Sequence, residues 1–95
     1  MQYTEFLRSP GAVLDRLRRG ETEPISYRSD TVCAQIRRLP ASRLPNDAVL
    51  MEQVPLTMRE MQRGTWERMQ AVVAGKRFVF GRGGRREAVI EGVKP

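Results

Sequence analysis

Two stretches of this chain carry the same order of local signals, and a repeat of that kind restricts the fold more than any single motif does. In Pro10 to Ile36, the residues Val13, Leu14 and Leu17 recur at helical spacing. They stop at Gly20, which accepts the left-handed conformation of a helix end without steric cost. Ile25 to Tyr27 and Val32 to Ile36 then bracket the polar turn Arg28-Ser29-Asp30-Thr31, the pattern of an antiparallel hairpin. Sliding the sequence by 55 residues without a gap lays Thr57 to Val93 over this pattern. Gly20 falls on Gly75, Glu5 on Glu60 and Arg8 on Arg63. Leu14, Leu17 and Ile25 fall on Met69, Val72 and Phe80, the first turn on Gly83-Gly84-Arg85-Arg86, and Ala34 on Val89. Identities are few, so the signal is the shared order of helix, glycine stop, strand, turn and strand. The competing reading is two unrelated helix-hairpin segments in one small α+β domain.

The pattern predicts an α+β fold of two helix-plus-β-hairpin units, residues 1–40 and 56–95, joined by a proline-containing linker over residues 41–55. A unit of that size buries too little surface to offset its chain entropy alone. The two must therefore pack on each other, as an intrachain pseudo-dimer, or on a second chain.

Within the first unit, Thr4 can cap a first helical turn carrying Phe6 and Leu7. Pro10 interrupts, so the main helix is expected to take Ser9 as its cap and run from Pro10 to Arg19. In the linker, Val49 to Val54 is apolar enough for a short strand, the counterpart of a stub at Met1 to Tyr3. Thr57-Met58-Arg59-Glu60 has the spacing of a capping box and starts the second helix. Met58, Met61, Met69, Val72 and Val73 form its apolar side, with Trp66 at the edge, and such a methionine-rich stripe reads as adaptable core or as the seam between units. Gly64 lies opposite Ser9, so both helices should bend or restart at the same level. Phe78 to Phe80, the glycine turn and Glu87 to Ile90 make the second hairpin, with no further helix predicted after Gly92.

The chain has a formal charge of +6, no histidine and one cysteine. Residues 1–40 hold seven basic and five acidic side chains, residues 41–55 one and two, and residues 56–95 nine and four, so the second unit is the more cationic. Without histidine, without a close carboxylate pair and with Cys33 reading as a small apolar strand residue, neither catalysis nor a metal or other cofactor is expected. Gly81 to Arg86 is glycine-rich but joins two strands and lacks the lysine and hydroxyl of a phosphate-binding loop. No apolar run is long enough for a membrane span and no leader pattern is present, so a cytoplasmic protein is expected.

What remains is arginine. Arg8 and Arg63 fall near the starts of the main helices, with Arg59 in the capping box, while Arg28, Arg82, Arg85 and Arg86 fall at the hairpin turns. A turn that folds back beside its helix start would gather these arginines at one end of the molecule. Such a cluster can neutralise phosphates and offer bidentate hydrogen bonds to guanine edges. The bland reading is a set of solvated turn residues.

LRSPGAVLDRLRRGE, followed by an isoleucine-led strand, a polar turn and a small apolar strand, resembles the N-terminal DNA-binding half of the Phd/YefM (prevent-host-death) antitoxins. The matching positions are Val13-Leu14-Asp15-Arg16-Leu17, Gly20-Glu21 and Ile25-Ser26-Tyr27-Arg28-Ser29, with Gly75-Lys76 and Phe80 to Gly84 at the same places in the second unit. The resemblance implies dimerisation through joined sheets, binding of palindromic double-stranded DNA to repress an operon, and association with the nucleoid. It carries the DNA-contacting role to Arg8, Arg28, Arg63 and Arg82. The family's helix-start arginine aligns with Leu7 and Gln62, one position before Arg8 and Arg63. Members also continue into a C-terminal segment that neutralises a toxin, a segment with no counterpart predicted after the second hairpin. A tandem pair would mimic within one chain the family's dimer, with further homodimers open to it. The alternative function is a protein-binding module, either an antitoxin whose toxin docks on the methionine-rich helix or an inhibitor of another partner.

Overall fold

The computed structural model describes residues 1–18, 21–39, 52–63 and 65–93. The expected strand over Val49 to Val54 and the helix end at Arg19 and Gly20 fall largely outside them; Val54, which is described, is exposed and lies in no strand.

Helix α1 (Tyr3–Arg8) turns Tyr3, Phe6 and Leu7 inward. It begins two residues after Met1, so Thr4 lies inside it and Gln2 is the cap position. At Ser9 the backbone leaves the helical region (φ −146°, ψ 64°), and helix α2 (Pro10–Arg16) restarts at once with proline in its first position. Pro10 has no N–H to give the Phe6 carbonyl and crowds the residue before it out of the helical conformation, so one continuous helix is excluded. Helix α2 ends at Arg16, short of the expected Arg19, where Leu17 turns extended and points its side chain into the core.

Strands β1 (Thr22–Ser26) and β2 (Val32–Arg38) pair antiparallel, with a bulge between Ile25 and Ser26. Helix α3 (Met58–Gln62) opens on the expected capping box: Thr57 Oγ1 accepts from the Glu60 N–H at 3.1 Å, and Glu60 Oε1 accepts from the Thr57 N–H at 3.0 Å. It stops at Arg63, and helix α4 (Thr65–Val73) follows, its first residue 55 positions after the first of α2; Gly64, where a bend is expected, lies outside the described residues. Strand β3 (Phe78–Phe80) and strand β4 (Ala88–Gly92) flank a turn in which Gly83 and Gly84 take φ values of 64° and 76°, the left-handed region that glycine enters freely.

The four strands form one antiparallel sheet in the order β1-β2-β4-β3, so the two hairpins join through their return strands. At the centre of that seam Ile36 stands opposite Ile90. Because side chains alternate across a strand, Ile25, Ala34, Ile36, Phe80, Ala88 and Ile90 face the helices. They pack with Phe6, Leu14, Met61, Met69 and Val72 into one buried cluster drawn from both halves. On the other sheet face Val79 and Val89 are buried together, with Leu39 against them.

Details of backbone bonding recur at the 55-residue spacing. The Met1 amino group donates to the Pro24 carbonyl at 3.2 Å, and the Leu56 N–H to the Val79 carbonyl at 2.9 Å. Ser26 N–H donates to Met1 O at 2.9 Å, and Gly81 N–H to Leu56 O at 3.0 Å. These bonds occupy the outer edges of β1 and β3 and block their pairing with another strand there. Leu56, then, is the counterpart of the N-terminal stub, the role expected of Val49 to Val54. Arg28 at 58° and Gly83 at 64°, 55 residues apart, also share a positive φ, with Gly84 a second such residue in the later turn. Beyond the turns the spacing falls to 54, since Ile25 pairs with Ala34 whereas Phe80 pairs with Ala88, so the counterpart of Ala34 in the other half is Ala88 rather than Val89.

Candidate nucleic-acid interface

Helices α1 and α3 meet at their C-terminal ends. Gln62 Nε2 donates to the Leu7 carbonyl at 2.9 Å, and these two residues occupy equivalent positions in the two halves. The residues that follow them are Arg8 and Arg63, both exposed and neither making a side-chain hydrogen bond or ion pair among the described residues. Arg8 closes α1 and Arg63 follows α3, so each lies at a break, two residues before the start of α2 or α4. Arg59 is exposed on α3, one helical turn before Arg63, and makes no side-chain hydrogen bond or ion pair among the described residues. Glu60 beside them is occupied by its cap: hydrogen bonds from the Thr57 backbone and side chain hold its carboxyl below the usual range.

The turns do fold back beside the helix starts of their own halves. Gln2 Nε2 donates to the Ser29 carbonyl at 2.8 Å, and Gly84 lies against Thr57 and Pro55. Because β2 and β4 run antiparallel, however, the two turns emerge at opposite ends of the sheet. The arginines consequently form a central pair with two flanks, not the single cluster at one end that the sequence suggests.

On one flank Arg28 is held in the left-handed conformation, a strained state for a residue with a side chain. Its guanidinium carbon lies 4.7 Å from the centre of the Trp66 ring and 5.2 Å from that of Tyr27. This stack ties the first turn to α4 of the other half, and the Arg28 N–H groups make no hydrogen bond to described residues. On the opposite flank the second turn reaches across to α2, where Arg82 pairs with Asp15 at 2.9 Å and with Glu87 at 3.4 Å. Hydrogen bonds to Glu87 and then Asp15 raise the Arg82 pKa, and Glu87 is held low even though burial pushes it up, because the Arg82 N–H and guanidinium outweigh that burial. Arg82 is therefore committed within the protein. Arg86 donates to the Gln53 carbonyl, and Arg85 between them is exposed with no side-chain partner among the described residues.

Two arginines outside the predicted set serve the fold. Arg38 donates to the Leu14 and Leu17 carbonyls at the end of α2, and Arg68 to the Glu60, Met61 and Arg63 carbonyls at the end of α3. In both cases a cation meets the carbonyls that a helix end leaves unpaired. Sequence reasoning missed Tyr27, Trp66 and Asp15 as partners of the turn arginines. The Trp66 and Asp15 contacts join one half to the other, and no local pattern encodes them.

Among the described residues no cluster of three histidine, cysteine, aspartate or glutamate side chains is placed to hold a metal, and no helix is long and apolar enough to cross a membrane. Comparison of the chain with models of known families, with curated proteins and with solved structures gives no match.

Proposed function

We propose that the chain is a sequence-specific double-stranded DNA-binding protein, a repressor of antitoxin-like type associated with the nucleoid, whose halves form an intrachain pseudo-dimer. The reading of the halves is supported by the hydrogen bonds that recur at one spacing and by the seam where Ile36 meets Ile90. The observation that carries the DNA reading is the contact between Leu7 and Gln62. It joins the positions just before the equivalent cations Arg8 and Arg63, with Arg59 one helical turn earlier on α3 and Arg28 and Arg85 at the two hairpin turns. The longest dimension is 34 Å, so this set falls within one turn of B-DNA, roughly 34–36 Å. A pseudo-two-fold protein matches a pseudo-palindromic site for the same geometric reason that a true dimer does. The methionine-rich stripe named for a protein partner is largely unavailable, because Met61 and Met69 are buried.

The test is fluorescence anisotropy with a pool of random-sequence duplexes at roughly 50 and 200 mM salt, followed by selection of the tightest binders. Arg8→Ala with Arg63→Ala should lower the salt slope by about 2, since each phosphate contact contributes roughly 0.9. Binding that ignores salt, or a double variant that binds like wild type, refutes the proposal.

A further inference from the structure

The two hairpin turns hold their arginines in different ways. Arg28 sits at a positive φ of 58°, whereas the equivalent position 55 residues on is Gly83, and Arg82 stands where Tyr27 does. The contacts divide accordingly. Arg28 lies over the rings of Tyr27 and Trp66, whose centres are 6.2 Å apart, and makes no ion pair among the described residues. Arg82 meets the carboxylates of Asp15 and Glu87 instead. The sequence supplies the reason: Gly11 occupies the position equivalent to Trp66, and Gln70 the position equivalent to Asp15. The Arg28 stack also rests on fixed supports. Tyr27 packs edge-on against the buried Tyr3, ring centres 6.0 Å apart. Next to Arg28, the Ser29 carbonyl accepts from Gln2 Nε2 at 2.8 Å and Ser29 Oγ accepts from the Thr31 N–H at 3.2 Å. Trp66 is the second residue of α4, three positions after Arg63, so the stack adjoins the helix break that Arg63 marks. A ring engages the π face of a guanidinium and leaves its N–H fork available.

We propose that Arg28 is the base-reading residue of the DNA surface, taking a guanine edge, and that the second turn makes only a phosphate contact through Arg85, so that the chain recognises its site in one direction. The inference rests on the DNA-binding reading above. A bidentate contact to guanine O6 and N7 needs a planar fork held in one orientation. The rings already order the Arg28 side chain, so little freedom is left to lose on binding. Its backbone points the same way. Glycine enters the left-handed region freely, as Gly83 does, whereas an arginine there is strained, and strained residues concentrate where ligands are contacted. At the second turn the Arg82 fork is engaged by Asp15 and Glu87, and Arg85 is exposed with neither a ring nor a carboxylate to orient it among the described residues. An unoriented cation suits phosphate, because phosphate contacts position a protein without reading sequence. The pseudo-symmetric backbone then places the chain on a pseudo-palindrome, and Arg28 decides which way round it lies.

The test takes duplexes selected by the full chain from a random-sequence pool and measures anisotropy with each base pair exchanged in turn. The selected site should hold one preferred guanine with no mirror counterpart, and exchanging that pair should weaken wild type about 10- to 100-fold, the effect of one bidentate contact. Arg28→Gly, which copies Gly83 and relieves the strained φ, and Arg28→Lys, which keeps the charge but loses the fork, should each reduce that discrimination to about twofold or less. Trp66→Leu, which removes the ring from under the guanidinium, should lower the discrimination and leave binding to random duplexes in place, a readout that a stack serving only the fold would not move. Arg85→Ala should weaken binding to all duplexes alike and lower the salt slope by about 1. Far-UV circular dichroism checks each fold, and if Arg28→Gly or Trp66→Leu does not fold, Arg28→Lys decides. Selected sites with equal preference at both ends, or folded Arg28 variants that discriminate like wild type, overturn the inference and leave DNA binding standing. Binding that ignores salt refutes the DNA reading instead, and this inference with it.

Discussion

Ile36 and Ile90 lie opposite each other at the seam of the two hairpins, both fully buried on the helix side of the sheet. Replacing either with alanine removes three carbons and leaves a cavity whose walls belong to both halves. Substitutions of this kind cost about 2–5 kcal/mol, and a centre held by two paired strands has little room to collapse, so about 3 kcal/mol is expected for each. For a domain near this size each kcal/mol moves the melting temperature by roughly 4–8 °C, so each variant should melt about 12–24 °C below wild type. Because the two side chains share one cavity, the double variant should lose less than the sum, with a coupling of about 1 kcal/mol. The discriminating measurement is urea unfolding followed by two probes, far-UV circular dichroism for the whole chain and Trp66 emission for the second half. If the halves share one core, Ile36→Ala in the first half must shift both probes to the same lower midpoint. A Trp66 transition left at the wild-type midpoint, or a two-step curve, would refute the shared core and restore two independent units.

Two further outcomes follow from the second turn. A Cβ at Gly81 would lie 2.1 Å from the Arg85 carbonyl oxygen and 2.9 Å from Glu87 Cγ, whereas one at Gly83 meets nothing within 4 Å and is opposed only by its positive φ. Gly81→Ala should therefore cost about 3 kcal/mol or more and Gly83→Ala about 1 kcal/mol in thermal unfolding; equal losses would show that the turn is looser than described. Glu87 is held low by the Arg82 N–H at 2.7 Å and by the Arg82 guanidinium, against the upward push of burial, so as pH falls the unfolded chain takes up its proton before the folded one does. The stabilisation is complete at neutral pH and is lost as pH falls below the ordinary glutamate range through the depressed folded value. Glu87→Gln should flatten that acid loss in urea midpoints, and an unchanged acid limb would remove Glu87 as its source.

Much of the local structure was legible from single residues. The capping box at Thr57 and Glu60, the restart at Pro10, the glycine turn at Gly83 and Gly84 and the strand Phe78 to Phe80 each depend on interactions within a few positions, where residue type nearly dictates backbone geometry. The 55-residue repeat of signals was legible for the same reason. Its loss of one residue in the second turn was not, because a bulge beside Ser26 and a three-residue helical turn at Arg82 look alike in sequence.

Composition and local order thus determined that this is a basic α+β chain whose helix-hairpin pattern occurs twice. Tertiary structure decided how the patterns combine. Antiparallel pairing of β2 with β4 sends the two turns to opposite ends of the sheet and brings Gln62 onto the Leu7 carbonyl, the positions before Arg63 and Arg8, while residues from the other half restrain Arg28 and Arg82 and leave Arg85 free of side-chain partners among the described residues. Sequence signals cannot supply that, because a strand's pattern specifies which face is buried but not which of several apolar strands lies beside it.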